Sequence, residues 1–188
     1  MKKFLAAIII LSCVFILAAP AFAGWDPNKT EKAASEQQTL NQEVATTIAN
    51  FKKKDSGIKR FFDKAYGYAV YPSVGKGGFL FGGAYGKGNV YEKGKLIGTS
   101  TITQVTVGLQ AGGQAYSEIV FFKDKKALND FKAGKFKAGA QVSAVAVTAG
   151  AAANADYSEG VAIFTLAKGG LMGEASIGGQ KFSFTPIK

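Results

Sequence analysis

The side chains best placed to do chemistry in this sequence are cations. Lys52, Lys53, Lys54, Lys59, Arg60 and Lys64 fall within 13 positions, and Lys76 and Lys87 follow. Phe51, Phe61, Phe62, Tyr66 and Tyr68 interleave with them. Ammonium groups beside aromatic rings suit a membrane surface, where the charges meet phosphate headgroups and the rings settle in the interface. Each such cation contributes about 1 kcal/mol at an anionic surface, so six support weak, salt-sensitive adsorption. The competing reading places the rings in the core and the cations in water. On the first reading the eight cations bind lipid, and Trp25 and Phe51 are membrane-interface residues.

Catalytic chemistry finds little support. The chain has no histidine, which removes the commonest general base, the commonest metal ligand and every Ser-His or Cys-His pair. Its one cysteine is Cys13. The acidic residues Asp55, Asp63, Asp124 and Asp130 lie on helical stretches or beside turns, and no pair is marked out for acid/base work. Gly83-Ala84-Tyr85-Gly86-Lys87-Gly88 invites a phosphate-loop reading, but that motif needs a helix after it, and here a strand follows. The residues therefore describe a binding protein rather than an enzyme, with no cofactor and no metal.

The elements that must position these cations begin after a leader. Met1-Lys2-Lys3 is followed by an apolar run from Phe4 to Ala19, then Pro20 and Ala21-Phe22-Ala23. A basic start, an apolar middle and a small-x-small end form an export signal, expected to be cleaved after Ala23. An uncleaved anchor and lipid attachment at Cys13 are the alternatives. Pro20 and the Ala-x-Ala end argue against the first, and the apolar Val14-Phe15-Ile16-Leu17 against the second. Cleavage removes the only cysteine, so the fold rests on packing alone. It also removes Lys2 and Lys3, lowering the formal charge from +10 to +8. A basic exported protein favours anionic phospholipid or acidic polysaccharide over nucleic acid. The expected location is the periplasm or envelope, with peripheral membrane association.

The rest divides into a helical arm over 24–66 and a β-rich core over 67–188. Asp26-Pro27 is a helix start, and Ala33, Leu40, Val44, Ile48 and Phe51 make one apolar stripe up to Lys52-Lys53-Lys54. That stripe either covers the sheet or lies on a bilayer. A short helix is expected over 58–64. From Gly67 the period falls to two: Tyr68–Tyr71 ends at Pro72, and further strands are expected at 79–81, 89–91, 96–109, 115–123, 140–148, 161–166, 171–177 and 181–184. One helix interrupts them, over 125–132. Glycines such as Gly108, Gly112, Gly113 and Gly170 fall inside strands, where they mark bends or close approach. The fold class is α+β, mainly antiparallel β: a curved, glycine-rich sheet, sandwich or small barrel with an N-terminal amphipathic helix and one short inserted helix.

Several segments, in order, resemble the SYLF domain. They are Tyr68-Ala69-Val70-Tyr71-Pro72-Ser73-Val74, the run Lys76-Gly77-Gly78-Phe79-Leu80-Phe81-Gly82-Gly83 continuing to Gly88, and Gly108-Leu109-Gln110-Ala111-Gly112-Gly113-Gln114. Gly134-Lys135-Phe136-Lys137-Ala138-Gly139-Ala140 and Lys168-Gly169-Gly170-Leu171-Met172-Gly173 follow, so the likeness spans residues 30 to 185. The resemblance implies a non-enzymatic module that binds acidic membrane lipids, phosphoinositides in eukaryotic relatives, aided by an N-terminal amphipathic helix. Exported, often lipid-anchored members are bacterial, and the leader argues against actin as a partner. The sequence departs from the family at Ala84, where a polar residue is common, and in the Ala-rich segment 138–155. A structural envelope protein that binds another protein or an acidic polysaccharide is the alternative function. An integral outer-membrane barrel also fits alternating glycine-rich strands, but the charge, the helical arm and the Pro186-Ile187-Lys188 end count against it.

Overall fold

A computed structural model of the chain describes residues 27–138 and 144–187. The leader, its expected cleavage site, Cys13 and Trp25 lie outside the described residues.

Helix α1 spans Pro27–Lys54 and ends on the three lysines that complement its C-terminal dipole. Leu40, Val44 and Phe51, on one stripe, are buried against the sheet. Asp55 breaks the helix. Its Oδ1 accepts from Gly57 N at 2.9 Å, opening a 3-10 turn over Ser56–Ile58, and α2 follows over Lys59–Lys64. The other carboxylate oxygen accepts from Ala152 N at 2.6 Å, tying the arm to a segment 97 residues away. The arm is thus covered core, not a detached appendage.

Six strands are described: β1 Gly67–Gly78, β2 Phe81–Glu92, β3 Lys95–Phe122, β4 Lys137–Ala138, β5 Ala144–Ala146 and β6 Val161–Pro186. All pair antiparallel except β5, which runs parallel to β6. Three expectations are corrected. The strand expected at 79–81 is the β1–β2 turn, with only Phe81 entering β2. Pro72 does not end β1; the strand bulges between Val70 and Ser73 and continues. A bulge is where a residue without an N–H fits. Here the Pro72 carbonyl accepts from the Ser117 hydroxyl at 2.7 Å and from Lys168 Nζ at 3.2 Å. The strands expected at 96–109 and 115–123 are one 28-residue strand, and the three expected after 161 are one strand of 26.

The register shows why those long strands are needed. Gly67 opposes both Glu92 and Phe122, while Gly78 opposes both Gly82 and Gly112. Strand β3 therefore runs out beside β2, turns over near Gly112, whose φ is +113°, and returns beside β1. Strand β6 follows β3 throughout, from Val161↔Phe122 to Pro186↔Gly98. A two-stranded ribbon is folded in half around the β1–β2 hairpin, and the sheet curls but does not close into a barrel. Helix α3, Lys125–Lys132, is capped by Asp124, whose Oδ1 accepts from Ala127 N, and it seals one end of the curl with Leu128 and Phe131. Helices α1 and α2 cover the convex face at that same end, over Val70, Ile119, Phe121 and Phe164. The far end holds the β1–β2 turn and the fold of β3.

Candidate functional site

The concave face changes character along its length. Near α3 it is apolar: Ala69, Tyr71, Ile102, Phe122, Ile163 and Phe182. Beyond them it turns polar. Gln104, Gln114, Gln180, Thr165 and Tyr116 line a cavity of about 540 Å³, whose other wall is apolar, with Ala144 and Ala146 of β5, Val147 and Leu166. Two cations reach it, Lys54 from the end of α1 and Lys76 from β1. The strand period explains the grouping. Lys76 opposes Gln114, Gln104 opposes Gln180, and every second residue of four neighbouring strands faces the same space.

Glu118 stands next to this cavity and is completely buried. Its Oε2 accepts from Gln180 Nε2 at 3.0 Å, and Oε1 has no hydrogen-bond partner. Burial pushes its carboxyl up to about 7, against the Gln180 bond, which pulls it down. A protonated carboxyl removes the cost of an uncompensated buried charge. Tyr71, directly across the ladder, shares its hydroxyl with Ser100 at 2.7 Å and is also pushed upward by burial.

The cations expected to bind lipid do not form one patch. Lys54 and Lys76 converge on the cavity. Lys53, Lys59 and Lys64 are exposed on the arm. Lys52 lies over the Phe62 ring at 4.6 Å. Arg60 sits over Phe61 at 4.8 Å, and its guanidinium donates to the Ala152 carbonyl at 2.9 Å and to the Ala155 carbonyl, so that charge is engaged in holding α2 to the 3-10 segment Ala151–Ala153. Lys87 lies in a second, smaller cleft with Glu36 and Glu43 of α1. Phe51 is a correction: it is fully buried in the core and meets no surface. Phe61 is likewise core, within an aromatic group that includes Phe121 and Phe164.

Sequence reasoning missed Glu118 and the three glutamines. Glu118 had a local signal, a carboxylate directly before the apolar run Ile119-Val120-Phe121-Phe122; the glutamines, in strands rich in threonine and serine, had none. Among the described residues there is no cluster of His, Cys, Asp or Glu able to hold a metal ion, and no helix is long and apolar enough to cross a membrane.

Residues 103–185 match the family model Ysc84, described as a Las17-binding protein actin regulator. The chain is also similar to Beta cell expansion factor A of Aeromonas veronii, with 30% identity over 154 residues, covering 80% of this chain and 58% of that protein. The chain therefore spans a little over half the length of this curated relative. The matched region holds most of β3 and nearly all of β6, the ribbon that supplies Gln104, Gln114, Glu118 and Gln180.

Proposed function

With residues 103–185 carrying a domain of the SYLF (Ysc84) family, we propose that the protein is a non-enzymatic lipid-binding module of the cell envelope. It is exported by its leader and engages anionic phospholipid at the membrane surface. The observation that carries the reading is the convergence of Lys54 of α1 and Lys76 of β1 on one cavity whose wall presents three glutamine amides among alanines, Val147 and Leu166. An ammonium pair with amide donors is the chemistry that takes a phosphate headgroup. Lys53, Lys59 and Lys64, exposed on the arm, add attraction to the surrounding anionic surface rather than a specific contact.

The test is co-sedimentation of residues 24–188 with vesicles of phosphatidylcholine alone or with phosphatidylglycerol. Binding confined to the anionic vesicles, lost on K54E/K76E but only reduced by K53E/K59E, supports headgroup capture in the cavity. Equal loss from both pairs would reduce the site to diffuse surface charge.

A further inference from the structure

The exposed face of the sheet reverses the usual alternation at one end. In a soluble antiparallel sheet apolar residues face the core and polar ones face water. Near α3 this chain obeys that rule, with Ile102 and Val120 buried. At the cavity the same strands invert it. Lys76, Gln104 and Gln114 point inward, while Phe81, Tyr85, Val105 and Val107 point outward. Phe81 is 73% exposed, Val105 72% and Val107 57%, and the β1–β2 turn adds Phe79 at 71% and Leu80 at 51%. These residues adjoin: Phe81 opposes Val107, Gly83 opposes Val105, and Tyr85 opposes Thr103.

Glycine floors the rest of this face. Gly83, Gly77 and Gly113 lie side by side on three strands, with Gly75 one step further along β1. A Cβ at any of these four would meet no atom closer than 3.5 Å, and none has a positive φ. Neither internal packing nor backbone conformation demands glycine there, and glycine weakens a strand. What the missing side chains leave is a smooth apolar surface, open to something outside the molecule.

We infer that this end of the sheet, led by Phe79-Leu80-Phe81, inserts into the apolar edge of the bilayer whose headgroups the cavity binds. The inference rests on the lipid reading above and deepens it. The order of residues along the face selects a bilayer over a protein surface. Phe81 and Val107 lie outermost, and four residues back Tyr85 and Lys181 share one rung, on either side of Thr103. An apolar tip backed by a band of tyrosine and lysine matches the passage from acyl chain to the interface, where tyrosine rings settle and lysines reach phosphate. Lys76 is two residues from the turn-proximal end of β1, which holds the headgroup cavity in the same half of the molecule.

The experiment places a fluorescent nitrobenzoxadiazole probe on Leu80→Cys, and separately on Asn129→Cys of α3 at the opposite end, both in Cys13→Ser chains. Vesicles are three parts phosphatidylcholine to one of phosphatidylglycerol. Insertion predicts a blue shift and quenching by acyl-chain nitroxides at position 80 only. It also predicts at least ten-fold weaker vesicle affinity for F79S/F81S, whose side chains are exposed and whose loss leaves the fold intact. Vesicle binding with an unshifted probe at 80 and unchanged F79S/F81S affinity overturns insertion and leaves headgroup capture standing. Failure of the wild-type chain to bind any vesicle overturns both. If F79S/F81S instead abolishes a self-association seen without vesicles, the face belongs to a second copy of the chain and the inference is overturned.

Discussion

Two buried carboxylates show how much a single residue carries here. Glu118 keeps a proton in the folded protein to about pH 7, whereas the unfolded chain releases it near the ordinary 4.5. Its contribution is therefore intact below pH 4.5 and declines as pH rises toward 7, over a range on the order of 3 kcal/mol. Urea denaturation at pH 5 and pH 8 should show the wild-type chain losing more stability than E118Q, which keeps a partner for Gln180 without a charge. Identical pH profiles would show that Glu118 is not the buried acid described. Asp55 is the second case. It serves both the 3-10 turn and Ala152 N, so D55A should cost about 2–3 kcal/mol. D55N, able to accept at one oxygen only, should fall between. Asp55 was legible as a helix breaker after three lysines. Its second bond was not, because nothing local in sequence connects 55 to 152.

At the scale of elements, the helices were readable because they carry local signals: Asp26-Pro27 before α1, and apolar residues at helical spacing. The long strands were not. Glycines inside β3 and β6 look like breaks when read locally, and Pro72 looks like a stop. Ladder pairing on both sides carries the backbone through all of them. The same glycines divide into two kinds, which mutation should separate. A Cβ at Gly88 would lie 2.2 Å from the Val70 carbonyl, so G88A should forfeit pairing between β1 and β2 and lower the melting temperature sharply. At Gly75 nothing lies within 4 Å, and G75A should melt with the wild type. Helix α1 belongs to the core, so F51A should cost about 3–5 kcal/mol without touching a headgroup contact. For the same reason, removing the whole arm would unfold the second core cluster rather than isolate a lipid-binding segment.

For the whole molecule, the sequence offered a net charge and a row of lysines, and that overall basic balance points toward anionic surfaces. The row itself dispersed on folding: one cation lies over Phe62, one holds α2, and another shares a cleft with Glu36 and Glu43. Among the described cations of that row, Lys54 and Lys76 line one cavity, a grouping set by the curl of the sheet and the seat of α1 on it, which no run of residues announces. The same curl sets the polar concave face against the apolar convex one at the free end. A protein that adsorbs by charge alone and one that also captures a headgroup respond differently to salt, since exposed charges are screened and a cavity contact is screened less. The measurement that separates the two is therefore vesicle co-sedimentation of the wild-type chain and K54E/K76E across a salt series. Headgroup capture predicts anionic-selective binding that weakens with salt yet persists in part at high salt, and that residue of binding should vanish in K54E/K76E. Binding of the variant equal to wild type at every salt concentration would contradict it.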